Sequence, residues 1–139
     1  MEDEKSPYVD FEAVVLCVGA PQLPVLETDA SPVSVLPVGN RTVLEHQVRM
    51  LTQCGVQRVH VCCTAVTANA FRELLEHRQM PEVHLQVIEA EDDGYVTECG
   101  ALRELLRRDV FAHSTSYCVF TPLLTPLPLC LLPLLTPLL

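Results

Sequence analysis

The stretch VVLCVGAPQLPVLETDASPVSVLPVGN, residues 14–40 of this 139-residue chain, decides its fold. The apolar run Ala13–Val18 ends at Gly19, a pattern typical of a strand that is buried on both faces of a parallel sheet. A helix cannot follow directly, because prolines stand at positions 21, 24, 32 and 37. The stretch therefore predicts a buried strand, an irregular loop, and then Leu36–Asn40 at the start of a helix.

Strands and helices alternate along the rest of the chain. Asn40 is a candidate N-cap for the first helix, and Gly55 is a candidate stop. Short connections between alternating elements favour right-handed crossovers and a mainly parallel sheet. The expected fold is an incomplete three-layer α/β/α domain of Rossmann type, with ligands at the carboxyl ends of the strands. The predicted elements are a helix over Arg41–Cys54, a strand over Val59–Cys63, a helix from Thr67 that Pro81 ends, a strand over Val83–Ile88, a helix over Thr97–Arg108 with Leu102, Leu105 and Leu106 inward, and a strand from Val110.

Composition divides the chain into three parts. Residues 1–10 form an acidic polar tail, and residues 11–120 form the partial α/β domain. Residues 121–139 contain ten Leu, five Pro and no charged residue. This run is apolar enough to span a membrane. Its prolines, however, remove backbone N–H donors that a helix needs, and no Lys or Arg flanks it. We therefore expect a low-complexity tail and no membrane insertion.

Charge and cysteine content exclude several function classes. The net charge of −9 comes from 18 acidic against 9 basic residues, and the absence of a basic run disfavours direct nucleic-acid binding. Cys17 and Cys54 have no neighbouring His base in the sequence, so buried packing is favoured over a nucleophilic role. With no CxxC pattern and no His pair at ligand spacing, we expect a cytosolic protein with reduced thiols and no structural metal. The seven cysteines stand at positions 17, 54, 62, 63, 99, 118 and 130.

The most specific pattern in the chain is the run Leu36–Asn40, followed by Leu44 and by Cys54–Val56. It resembles the N-terminal segment of sugar-phosphate nucleotidyltransferases and of their relatives within translation initiation factor 2B. The resemblance extends over about Phe11–Ser116 and implies a nucleotidyltransferase fold. Within it, the chain is most similar to the gamma-subunit family of that factor, with the epsilon-subunit family a near second. The other matches, all in ungapped register, are Val18-Gly19, Thr28 and Pro32.

The loop departs from the pattern that this resemblance implies. Ala20 and Pro21 stand where the enzymes have glycines, and a proline has no N–H to offer to a phosphate. Leu23 stands at the position of the loop arginine, and Val33 at that of the lysine that contacts the phosphates. Losing both cations removes charge stabilisation from the transfer step. The loop that begins at Gly19 is therefore predicted to be degenerate.

Two further elements of the implied site also differ. Thr97 and Glu98 begin a helix where the family has Gly-Thr, and a carboxylate there repels a nucleotide. Ser116 falls at the position of the Mg²⁺-binding Asp, and no Asp or Glu follows Asp109. The resemblance thus implies no catalytic residue, no bound cofactor and no metal. The chain is predicted to be a pseudo-enzyme.

By resemblance, the predicted function is that of a non-catalytic subunit, or a truncated isoform, of the guanine-nucleotide exchange factor for initiation factor 2. Its implied partners are the other subunits of initiation factor 2B, the epsilon subunit first, and initiation factor 2 itself. The alternative is a sugar-1-phosphate nucleotidyltransferase similar to mannose-1-phosphate guanylyltransferases. Binding of GTP or of a sugar nucleotide with magnesium would favour that alternative.

Overall fold

A parallel sheet of four strands forms the centre of the computed structural model, which describes residues 11–18, 23, 25–28, 30–89, 96–110 and 116–120. The sheet order is β5-β4-β1-β6, and each neighbouring pair is parallel. A separate antiparallel pair, β2 and β3, precedes the first helix. The strands are β1 (Phe11–Cys17), β2 (Pro37–Val38), β3 (Arg41–Thr42), β4 (Arg58–Thr64), β5 (Val83–Ile88) and β6 (Ser116–Phe120), and the helices are α1 (Val43–Gln53), α2 (Ala68–Arg78) and α3 (Glu98–Arg107).

The central strand β1 is buried on both faces, because successive side chains of a strand point to opposite sides of the sheet. Ala13 and Val15 belong to the core beneath α1 and α2, whereas Val14 and Leu16 belong to the core beneath α3. The predicted three-layer α/β/α arrangement with a parallel sheet is confirmed. Residues of α1 and α2 in the first core are Leu44, Val48, Leu51, Ala68, Phe71 and Leu74, and those of α3 in the second are Ala101 and Leu105.

The start of α1 differs from the prediction. Helix α1 begins at Val43, and its N-cap is Thr42 rather than Asn40. Thr42 and Glu45 form a reciprocal capping box: the Glu45 N–H donates to Thr42 Oγ1 at 3.3 Å, and the Thr42 N–H donates to Glu45 Oε2 at 2.6 Å. Asn40 instead lies in the two-residue turn between β2 and β3, where Gly39 adopts a φ of 69°. The Leu-Pro-Val-Gly-Asn run therefore builds a hairpin and not a helix cap.

We expect Thr42→Ala to lower the free energy of unfolding by about 0.5–2 kcal/mol, because the variant leaves the Glu45 N–H without its side-chain acceptor. Urea unfolding followed by circular dichroism measures the change. Thr52→Ala is the matched control, since Thr52 lies inside α1 and its hydroxyl only donates to the carbonyls of Val48 and Arg49. The control should stay within about 0.5 kcal/mol of the parent chain. Equal losses for the two variants would contradict the assignment of the cap.

The C-terminal part of the domain also corrects two predictions. Leu106 is 52% exposed, so it does not face the core as predicted. Val110 lies in a turn, and the last strand begins at Ser116. The local reason is the backbone at Asp109, which adopts a left-handed φ of 56° directly after α3 and so keeps Val110 in a turn. The tails over residues 1–10 and 121–139 lie outside the described residues. Within the described part, no helix combines the length and the apolar character needed to cross a membrane.

Candidate functional site

The direction in which the chain adds strands to the sheet reverses between the neighbouring strands β1 and β6. The chain runs outward from β1 to β4 and β5, then returns to the other side of β1 to form β6. In open parallel sheets this reversal leaves a crevice outside the carboxyl ends of the strands, where ligands bind. The loop after β1 and the start of α3 both follow carboxyl ends of sheet strands. By this general rule the candidate site lies at the carboxyl edge of the strands, after β1.

In the described part of the loop after β1, the Glu27 carboxylate bridges two backbone N–H groups. Its Oε2 accepts the N–H of Leu23 at 2.6 Å, and its Oε1 accepts the N–H of Val33 at 2.9 Å. The Leu23 carbonyl accepts in turn from the N–H groups of Leu26 and Glu27, both at 2.9 Å. These bonds close a turn and join its beginning to the short 3-10 helix Val33–Val35. Sequence reasoning gave Glu27 no role, because no motif marks a side chain that accepts N–H groups four residues before it and six residues after it.

The predicted loop residues are only partly within the described structure. Gly19, Ala20 and Pro21 lie outside the described residues. Leu23 is 39% exposed, whereas Val33 is buried. The two side chains have different environments, but the Glu27 carboxylate connects their backbone N–H groups. Residues 23–40 contain no Lys or Arg, so this part of the loop offers an anion neutral donors, such as backbone N–H groups and hydroxyls, and no cationic side chain.

Thiols surround the end of β1 without forming a nucleophile. The Cys17 thiol and the hydroxyl of the fully buried Ser34 are hydrogen-bonded at 3.2 Å. Burial raises the pKa of Cys17 to about 12, although the bond to Ser34 opposes that shift. Burial also raises the pKa of Cys62 to about 12 and that of Cys63 to about 11. A thiol must lose its proton to attack, so these three cysteines are inert at neutral pH.

Alkylation of the native chain tests this assignment. We expect iodoacetamide at pH 8 to modify the thiols of Cys54 and Cys99 within minutes, because both side chains are exposed to the reagent. Cys17, Cys62 and Cys63 should stay unmodified until urea unfolds the chain. Peptide mapping by mass spectrometry reads each site, and the urea-treated sample is the control. Rapid labelling of Cys17 in the native chain would show a reactive thiol at the candidate site.

The start of α3 is the second element at this edge. The Thr97 hydroxyl caps the helix by accepting the Gly100 N–H at 3.0 Å, and both Thr97 and Glu98 are exposed. The Glu98 carboxylate lies in the first turn, where it interacts favourably with the positive end of the helix dipole. The Thr97 hydroxyl thus already accepts a hydrogen bond from the helix backbone. Glu98 adds a negative charge to the carboxyl edge of the sheet.

The predicted metal position is corrected by the strand register. Ser116 pairs with Phe11 at the amino end of the sheet, so it cannot occupy the position after the last strand. Residue 121, which follows that strand, lies outside the described structure. Among the residues that are described, no three His, Cys, Asp or Glu side chains approach closely enough to hold a metal ion.

A polar cluster around the buried side chains of Glu12 and His60, at the amino end of the sheet, was missed from the sequence. Glu12 Oε1 accepts from the Arg58 guanidinium at 2.9 Å, and Glu12 Oε2 lies 3.0 Å from His60 Nε2. The His84 ring lies beside His60, with 5.7 Å between ring centroids, and its pKa is lowered by burial and by the neighbouring His60 and Arg58. The signal for this cluster was the single carboxylate of the otherwise apolar strand β1, that of Glu12. It lies at the opposite end of the strands from the candidate site.

No family model and no curated protein matches the chain. Solved structures match with 81% of the chain covered. Rv0371c from Mycobacterium tuberculosis has a TM-score of 0.60 at 23% identity, and a nucleotidyl transfer protein from Methanothermobacter has a TM-score of 0.55 at 20% identity. A Bacillus anthracis protein described as a glucose-1-phosphate thymidylyltransferase has a TM-score of 0.61 at 18% identity. The chain has the fold of a nucleotidyltransferase.

The chain spans only about half the length of each matched protein: it covers 52%, 44% and 50% of the mycobacterial, Bacillus and Methanothermobacter chains. The expected fold class is confirmed, and so is the broader likeness to nucleotidyltransferases. The prediction of a pseudo-enzyme is contradicted, because matched proteins of this fold are named as nucleotidyl-transferring enzymes. The substitutions at Leu23 and Val33 were therefore insufficient ground for assigning a loss of activity.

Proposed function

We propose that the chain binds a nucleoside triphosphate at the carboxyl edge of β1 and β6, as the nucleotide-binding part of a sugar-1-phosphate nucleotidyltransferase. The observation that carries the proposal is the reversal of strand order at β1, with the Glu27-closed loop at the same edge. A ligand crevice at such a reversal is a general property of open parallel sheets. The name of the matched Bacillus protein supports a sugar 1-phosphate as the second substrate.

The chemistry of this transfer requires positioning more than covalent catalysis. An oxygen of the sugar 1-phosphate attacks the α-phosphorus of the nucleotide, and pyrophosphate leaves. Donors that are fixed before the reaction stabilise the charge that develops on the phosphates. In the described part of the loop, the backbone N–H groups of Leu23 and Val33 already bind one anionic group, the Glu27 carboxylate, and the neutral thiol of Cys17 supplies no charge.

Calorimetric titration of the full chain tests nucleotide binding. ATP, GTP, UTP and dTTP are titrated separately with magnesium and with manganese, and pyrophosphate release is then measured after addition of glucose 1-phosphate or mannose 1-phosphate. We expect saturable binding of at least one nucleotide. Absence of binding by all four would overturn the proposal.

A cation placed in the loop sharpens this test. Leu23 is partly exposed, so Leu23→Arg can place a guanidinium beside the loop without burying it. We expect this variant to bind the nucleotide about tenfold more tightly, because charge-assisted bonds to phosphate are stronger than neutral ones. Leu106→Arg is the matched control, since Leu106 is exposed on α3 and the variant gains the same charge. Equal affinity changes in both variants would indicate a general charge effect and no site at the loop.

A second candidate function is that of a subunit of the exchange factor for initiation factor 2, and the run Leu36–Asn40 favours it. Most of this run lies in the β2–β3 hairpin and its turn, where Val38 is largely exposed and accessible to a partner. In this candidate the chain binds the epsilon subunit of initiation factor 2B first, and initiation factor 2 through the assembly, in the cytosol. A tagged pull-down from eukaryotic extract distinguishes the candidates: recovery of the other 2B subunits supports this one, and recovery of chaperones alone contradicts it.

A further inference from the structure

We infer that a groove between α2 and the 3-10 helix Val33–Val35 binds the carboxyl terminus of a peptide whose last residues are apolar. The groove has a volume of about 470 Å³, within the range of about 300–1,000 Å³ that is typical of ligand sites. The inference does not depend on the proposed function, because no nucleotide takes part in it. The residues of the groove that carry the argument are Val35, Ala70, Glu73, Leu74 and Arg78.

The floor of the groove is apolar. Ala70 and Leu74 lie one turn apart on α2, and both side chains are largely buried. Val35, on the opposite wall, is half-buried and packs against the same core. An alkyl side chain laid on this floor removes further apolar surface from water, which is the main favourable contribution to association. The floor therefore favours a ligand with an apolar side chain.

A guanidinium group, that of Arg78, lies at one end of the groove. Its Nε is 3.4 Å from Glu45 Oε1, and its side chain is 48% exposed. Glu45 is itself held by the capping box with Thr42, so this contact positions the guanidinium. In the part of the chain that the structure describes, Arg78 makes no other side-chain hydrogen bond or ion pair. Its two terminal Nη groups can therefore donate the paired hydrogen bonds that a carboxylate accepts.

The spacing of the groups along α2 fits a peptide terminus. The helix rises about 12 Å from Ala70 to Arg78, at about 1.5 Å per residue. Three or four extended residues span that length at about 3.3 Å each. Glu73 lines the groove between these two positions, and its carboxylate can accept the backbone N–H groups that a peptide has and a simple fatty acid lacks. Its negative charge also repels a terminal carboxylate, which directs that group towards Arg78.

Calorimetric titration of the full chain with the peptide acetyl-Thr-Pro-Leu-Leu, which has a free carboxyl terminus, tests the inference. The same peptide with a carboxyl-terminal amide is the matched control, because it differs only in the terminal charge. We expect saturable binding of the acid form and about tenfold weaker binding of the amide, since charge-assisted hydrogen bonds to a guanidinium are stronger than neutral ones. Sodium octanoate, which has an apolar body and a carboxylate but no N–H group, should bind more weakly than the acid peptide.

Two variants of Arg78 locate the site. Arg78→Ala should weaken binding of the acid peptide about tenfold and leave binding of the amide unchanged, because only the acid form pairs with the guanidinium. Arg78→Lys keeps the charge without the planar fork and should lose less. Arg72→Ala is the matched control, since Arg72 is exposed on the same helix, bonds to Asn69 and does not line the groove. Its dissociation constants should equal those of the parent chain.

The parent chain alone already decides the inference, so a variant that fails to fold does not prevent the test. Equal binding of the acid and amide peptides, or no binding of either, would overturn it. Octanoate that binds as tightly as the acid peptide would overturn the assignment of a peptide to the groove. Each of these results leaves the nucleotide titrations of the proposed function unaffected, because those titrations use a different ligand.

Discussion

Phe71→Ala should lower the free energy of unfolding by about 3–5 kcal/mol, the largest loss expected from any single substitution considered for this chain. Phe71 is fully buried on α2 and belongs to the core that joins α1, α2 and one face of the sheet. Truncation removes the buried ring and leaves a cavity, and both effects destabilise the folded state. Since domains of this size are stable by only about 5–15 kcal/mol, the variant should be near its limit of folding.

Urea unfolding monitored by circular dichroism gives the measurement for Phe71→Ala. Phe71→Leu refills most of the cavity and should recover much of the loss. Glu76→Ala, on the exposed side of the same helix, should change the free energy of unfolding by less than about 0.5 kcal/mol. A loss below about 1 kcal/mol for Phe71→Ala would mean that α2 does not pack on the sheet as described.

The second large effect is expected for Leu105→Ala, on the opposite face of the sheet. Leu105 is fully buried and packs in the core formed by α3 and the other face of β1. We expect its truncation to cost about 2–5 kcal/mol, the range measured for buried leucines. Chemical unfolding under the same conditions as for Phe71→Ala allows the two cores to be compared directly.

The neighbouring residue provides a matched control for Leu105. Leu106→Ala makes the same chemical change one position later on α3, but Leu106 is 52% exposed. Its cost should stay below about 0.5 kcal/mol. Reversal of the two values would show that α3 is rotated relative to the description, with the predicted Leu106 stripe facing the sheet after all.

Much of the fold could be predicted from the sequence, namely those elements for which the local sequence pattern favours a single structure. The alternation of apolar and polar residues over Val83–Ile88, bounded by Pro81, gave β5 with the observed ends. Burial of β1 on both faces could also be predicted from the sequence, because its apolar run is continuous over Ala13–Val18. Gly55 ends the α1 segment with a φ of 94°, as its position suggested.

Competing local signals explain the misplaced start of α1. Asn40 is a good N-cap in general, but Gly39 and Asn40 also form a favourable hairpin turn, and the turn prevailed. The spacing of Thr42 and Glu45 is itself a capping-box signal and would have identified the true cap.

The candidate site was less predictable than the fold because its contacts depend on the path of an irregular loop. Strand order at β1 follows from alternation of elements, so the edge could be located in advance. The meeting of the Leu23 and Val33 N–H groups at Glu27 could not, since no periodicity fixes the path of a proline-rich loop. The failed prediction of a pseudo-enzyme concerned the same loop, and it relied on the residue types at aligned positions.

The most direct test of the central claim is an amide NMR map of the ¹⁵N-labelled full chain during titration with GTP and dTTP in magnesium. A nucleotide at the carboxyl edge should shift the resonances of residues 16–18, 23–34 and 97–101. The amino-end cluster of Glu12, Arg58, His60 and His84 should keep its resonances, which makes it the internal reference. Shifts confined to that cluster, or no shifts at saturating nucleotide, would contradict a nucleotide site at the end of β1.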